Sequence, residues 1–195
     1  MNNHQKRNLL MKKISFLGGA IVTLLFSAPS FAAITGTSSV SATFTSTIEA
    51  GTCTAQIQNA SGQPVSTLDF GDVFKSDLVK QSRSEPFKVA FTDCAGVKSA
   101  KYQVIPGSGG GCSGPSSNGD SFAGGNSTGF EVWQGESGTG TLLSCNTKPS
   151  QTLAISGSSL NVDFSSRIVI AKDRKIANVT AGSVSSPVTF VITYQ

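Results

Sequence analysis

Apolar and polar positions alternate with a period of two along much of this chain. The cleanest run is the last one: Val188, Phe190, Ile192 and Tyr194 fall on one face of a strand, and Thr189, Val191 and Thr193 on the other. Phe87, Val89 and Phe91 alternate within 86–94, and Leu160, Val162 and Phe164 within 160–164, with 166–171 continuing as strand. Weaker strand signals lie at 46–57, with a bend expected at Gly51, at 67–73, where Leu68 and Phe70 share a face, and at 101–106, 130–134, 141–145 and 151–155. Between them, 59–62 reads as a turn, 75–85 as a charged loop, 172–178 as a solvated turn, and 107–129, with its 9 glycines and 6 serines, as a long loop poor in structure. Many short strands and turns in one domain-sized chain predict an all-β sandwich.

The N-terminus follows a different rule. Lys12 and Lys13 precede an apolar run over 14–26, and Ser30 and Ala32 stand at the small positions of a cleavage site. Residues 1–32 therefore read as a signal peptide, with Met11 as an alternative start. The leader changes the charge balance. Four of the 15 Lys and Arg (Lys6, Arg7, Lys12 and Lys13) lie in it and none of the 11 Asp and Glu do, so the exported part is formally neutral. That part has no basic stripe to attract nucleic acid. It also loses His4, the only histidine.

Without histidine a Ser-His-Asp triad is excluded. Asp69, Asp72 and Asp77 sit at a strand end and in a loop, where solvation rather than acid–base pairing is expected. Asn118, Asp120 and Asn126 lack the spacing of a calcium loop. No enzyme activity, cofactor or metal is expected. Cys53, Cys94, Cys112 and Cys145 all lie in the exported part, where disulfides are the default. Of the three connectivities, Cys53 with Cys94 joins two strand-like stretches, and Cys112 with Cys145 joins the edges of the glycine-rich insert. Phe130 and Val132 share a face, which turns Trp133 outward. There it is either covered by a neighbouring loop or a candidate ligand contact.

Residues 33–45 alternate too, with Ile34, Gly36, Ser38, Val40, Ala42 and Phe44 on one side and only Thr or Ser on the other from Thr35 to Thr45. So little bulk makes a weak strand alone, but small residues suit a narrow slot in another molecule.

Taken together, this extension, Cys53, the Thr-Asp-Cys block ending at Cys94, Gly182 fourteen residues from the C-terminus and the penultimate Tyr194 resemble the pilin-domain subunits of bacterial chaperone–usher fimbriae of the type 1-like kind. The stretch 160–170, with Phe164 and Arg167, is similar to the strand that precedes the last one in that family. The resemblance spans the chain after the leader. It implies an incomplete immunoglobulin-like sandwich, 46–195, that lacks one strand and is completed by a donated one. It implies a groove flanked by 46–57 and 188–194, an extension (33–45) that fills a neighbour's groove, and Cys53–Cys94 as the family's disulfide. Implied partners are a periplasmic chaperone that holds the carboxylate of Gln195, an outer-membrane usher and other fimbrial subunits. The protein would pass through the periplasm to a fimbrium on the cell surface. The second cysteine pair is extra to the simplest pilin pattern and points to a minor or adaptor subunit. The alternative is a single-domain adhesin for a host glycan or protein, with Trp133 and 107–129 as its contact.

Overall fold

The computed structural model describes residues 43–46 and 49–195. The signal peptide and, of the extension, Ile34, Gly36, Ser38, Val40 and Ala42 lie outside the described residues. The chain divides into two units, 1–45 and 46–195, and the second holds all the strands described here.

Two antiparallel sheets build that unit. The larger one contains β1 (Thr52–Asn59), β2 (Ser84–Ala95), β4 (Phe122–Gly125), β5 (Thr128–Gln134), β6 (Thr141–Leu142) and β8 (Leu160–Ile170). Its order is β1-β2-β8-β5-β4, with β6 on β5. The smaller sheet holds β3 (Ser99–Pro106), β7 (Gln151–Ala154) and β9 (Val188–Tyr194), in the order β7-β3-β9. The two-sheet sandwich expected from the alternation is present.

The inward rows of both sheets meet in one core. Phe87, Val89 and Phe91 of β2 enter it beside Phe164 of β8 and Val132 of β5, facing Ala100, Tyr102 and Val104 of β3. Pairing of β2 with β8 puts Phe87 against Phe164, and their rings stack at 5.5 Å. A second cluster of Phe70, Leu78, Ile168 and Val179 fills one end.

Some local readings need correction. The first strand spans Thr52–Asn59 rather than starting at Ser46. The charged stretch after Lys75 is not all loop: it opens with a helix, α1 (Lys75–Lys80). Asp77 accepts a hydrogen bond from the Phe74 amide (2.9 Å), Leu78 is buried, and Gln81 closes the helix in the left-handed conformation. Six residues are too few for periodicity to register, so capping and one buried leucine decide the matter. Finally, 107–129 carries β4 and the start of β5. The disulfide Cys112–Cys145 fixes its base, Ala123 N–H donates to Gly111 (2.8 Å), and Ser113 and Ser121 hydroxyls bond each other inside (2.7 Å). Gly129 is required here, because a side chain on it would run into Ser121. Cys53–Cys94 is the other bridge and ties β1 to β2. Both pairings agree with the expectation.

Candidate functional site

The last strand is where the sandwich is unfinished. β9 pairs only with β3, at the edge of its sheet. Its burial alternates as the sequence does: Val188, Phe190, Ile192 and Tyr194 point inward, and Thr189, Val191 and Thr193 are exposed. Yet none of the four inward side chains is fully buried. They pack against the core while keeping one flank open. The row continues beyond the strand's formal start, through Ser186 to Val184. Pro187 explains why the strand is counted only from Val188: it has no N–H to give a ladder, and its carbonyl instead accepts from Gly107 (2.9 Å).

Opposite this row runs 66–75. Leu68 and Phe70 turn inward as expected, with Phe70 buried and Leu68 partly so. The stretch, expected as a strand over 67–73, is not a strand of either sheet, and Gly71 turns it with a φ of 58°. Among the described residues, no backbone–backbone hydrogen bond engages 66–73. Arg83 of the segment before β2 fastens it by donating from its guanidinium to the Phe70 carbonyl. Between the two walls lies a cleft of ≈ 1430 Å³, lined by Ile57, 66–75, 179–188 and Phe190, with Phe87, Val132 and Ile168 on its floor. Among the described residues, the wall facing the last strand is 66–75, and of 46–57 only Ile57 lines the cleft. The two walls, with no strand ladder between them, a long apolar floor and half-buried inward residues, leave this edge of the sandwich open.

Gly182 begins the rim with φ near 138°, a conformation that favours glycine, and a side chain there would press on Asn126. At the other end, the main-chain oxygen of Gln195 accepts from the amides of Lys98 and Ser99, both at 3.0 Å. Tyr194 and Tyr102 are both half or fully withdrawn from water, and burial pushes both phenols above their ordinary range. Tyr102 hydroxyl donates to Gln134 (2.9 Å).

The other sequence-predicted positions lie elsewhere. Trp133 is on the outer face of the larger sheet. Its ring N–H donates to Glu131 (3.0 Å), and Arg167 reaches the same carboxylate at 2.7 Å with its guanidinium 5.5 Å above the indole. This is an internally satisfied cluster of β5 and β8, held by neighbours on its own sheet and not by a loop. Asp120 accepts from Ser144 (2.6 Å), while Asn126 donates toward Ser183. Asp69 accepts from the amide of Gly71 and Asp77 caps α1. Of the extension's inward row, Phe44 alone is described, and it is exposed. Sequence reading missed the 66–75 wall, Arg83 and Ser186. Only the backward continuation of the alternation past Pro187 signalled any of them.

No family model matches the chain. It is 38% identical over 184 residues to the uncharacterised fimbrial-like protein YadL of Escherichia coli strain K12, covering 88% of this chain and 90% of that one. Among solved structures it is similar to a chaperone–usher pilus described for the molecular basis of rod uncoiling, with a TM-score of 0.50 at 18% identity, covering 81% of this chain and 96% of the other. It also matches the P pilus rod subunit PapA, at a TM-score of 0.47 and 16% identity over 73% of this chain and 99% of that one. Of these two, only the first is near enough to carry an argument, and it shows the fold alone.

Proposed function

We propose, from the premise that the chain belongs to the family of fimbrial-like proteins and has the pilin fold of chaperone–usher subunits, that its cleft receives a strand donated by another molecule. The protein is then a structural subunit of a cell-surface fimbria, joined to its neighbours by strands that each complete the next sandwich. A periplasmic chaperone fills the cleft during export and engages the C-terminal end at Gln195, and an outer-membrane usher exchanges it for a subunit's extension. The exported chain's own extension, 33–45, is the strand it donates. The pinned 107–129 excursion, which a bare sandwich does not need, favours a minor or adaptor place. The observation that carries this reading is the half-buried row Val184, Ser186, Val188, Phe190 along the outer edge of the smaller sheet, facing 66–75, which belongs to neither sheet.

The test is thermal unfolding of the chain from residue 46 onward, with and without a peptide of residues 33–45 or the corresponding extension of a neighbouring subunit. A ligand that binds only the folded state raises its stability by mass action. A rise with one of these peptides, lost when its apolar face is charged (here Val40→Glu with Phe44→Glu), is expected. A domain that unfolds cooperatively at the same temperature whichever peptide is present already has a complete sandwich, and the reading fails.

A further inference from the structure

Away from the cleft, the disulfide-pinned excursion holds the chain's single Asn-Gly pair, Asn118-Gly119. None of residues 112–121 lines the cleft. We infer that Asn118 is a self-modification site. When 107–129 opens, its side chain cyclises onto the amide that follows and hydrolyses to isoaspartate, which keeps the segment from closing again. In the closed excursion one hydrogen bond holds that reaction off, from the Gly119 amide to the Ser113 carbonyl.

Packing dictates a glycine at 119. Gly119 is buried, and a Cβ there would run into the Ser113 hydroxyl and lie 2.7 Å from the Ser113 carbonyl oxygen. The residue before it is an asparagine whose Oδ1 is buried with no hydrogen-bond partner. Such a group is costly to bury, and nothing at that oxygen anchors the carboxamide. The backbone around the pair, by contrast, is held at several points. Gly119 N–H donates to Ser113 (2.9 Å), Ser113 N–H to Ser121 (2.8 Å), and Cys145 N–H to Asp120 (2.8 Å). Lys172 Nζ donates to the main-chain carbonyl of Asn118 (3.3 Å). The fold thus sets a free carboxamide beside an unhindered amide and engages the one atom that must attack.

The reaction needs no co-reactant but water. The Gly119 nitrogen gives its proton to solvent and attacks Cγ of Asn118. The N–Cγ bond forms, the Cγ–Nδ2 bond breaks, and Nδ2 takes up a proton and leaves as ammonia. Water then opens the cyclic imide. Opening at Cγ gives aspartate, and opening at the main-chain carbonyl gives isoaspartate, with the backbone now running through Cβ and Cγ. A glycine nitrogen is the least hindered nucleophile for this closure, because no side chain stands beside it. An amide bonded to a buried carbonyl does not release its proton to water, so ring closure waits for the Gly119–Ser113 bond to open, as hydrogen exchange does. Isoaspartate adds an atom to the backbone just before Gly119. A site with no room for a Cβ does not readmit the chain at that displaced position, so the opening becomes permanent.

Two rates in the exported chain, read with its disulfides intact, test this. One is hydrogen exchange at the Gly119 amide. The other is isoaspartate formation at 118, followed by isoaspartyl methyltransferase labelling and peptide mapping. Each is measured in the folded chain and in denaturant at the same pH. The fold-slowing on folding is expected to be the same for both, because both need the same N–H released. Isoaspartate forming as fast in the folded chain as in denaturant, with Gly119 protected from exchange, overturns the bond as the gate. So does a slowing far greater than the protection of Gly119. No isoaspartate at 118 even in denaturant overturns the site. Asn118→Gln, which would need a larger ring, is expected to give no product in this peptide, and a product that persists there overturns Asn118 as its source. Chain isolated after conversion is expected to lose protection at Gly119 while Val132, buried on β5, keeps it. A Gly119 amide as protected as before overturns the permanent opening.

Discussion

Replacing Phe190 by alanine probes the open edge most directly, with Val191→Ala as its internal control. The two residues are adjacent on β9 and face opposite ways. Phe190 packs on three rings, with centroids 5.3 Å from Phe164, 6.1 Å from Phe87 and 6.4 Å from Tyr102. Removing a fully buried phenylalanine costs about 3–5 kcal/mol. Phe190 is only partly covered because its outer flank lies in the cleft. Scaling the transfer and cavity contributions to that partial burial leaves about 2 kcal/mol in the uncomplemented protein. Val191 is 43% exposed and points away from the core. Its truncation should stay within about 0.5 kcal/mol. Equilibrium unfolding in guanidinium, with both disulfides intact and Trp133 fluorescence as the signal, reads both values at unchanged slope. When the cleft is filled, the Phe190→Ala cost should rise into the full-burial range while that of Val191→Ala does not move. Equal costs for the two variants would refute the assignment of inward and outward faces. An unchanged Phe190 cost on filling would refute the claim that the cleft is what leaves it exposed.

Two further outcomes are expected. Replacing Cys112 and Cys145 together with alanine opens a loop with a sequence separation of 33, for which chain entropy predicts a loss of about 4 kcal/mol. A loss under about 1 kcal/mol in denaturant titration would mean that the Ser113–Ser121 packing holds 107–129 without the bridge. The raised phenol of Tyr102 keeps its proton in the folded state after the unfolded chain has lost it. Its contribution is therefore complete below about pH 10 and declines as the pH rises above that value. Tyr102→Phe should flatten this alkaline decline, at a cost of about 1 kcal/mol near neutrality from the lost bond to Gln134. A decline in unfolding free energy as steep as that of the unsubstituted chain would show that another group titrates.

Much of this molecule was determined by the sequence alone, because strand periodicity and export chemistry act locally. A period of two at Val188–Tyr194 or Phe87–Phe91 specifies which side chains must leave water, whatever they later meet. Exported cysteines placed at matching strand and insert positions pair without knowledge of the sheet. The same rules found Leu68 and Phe70 on one face but could not say that their face looks across at Val184–Phe190. Helix α1 escaped because one capping aspartate and one buried leucine outweigh a charged composition only once the second cluster is there to receive Leu78. Trp133 looked available in one dimension and is engaged in three, since Glu131 on its own strand and Arg167 on the adjacent one both meet it. The cleft itself was decided by tertiary structure. An unfilled slot is a relation between two rims more than a hundred residues apart in the chain, and its depth depends on how far the two sheets hold those rims from each other.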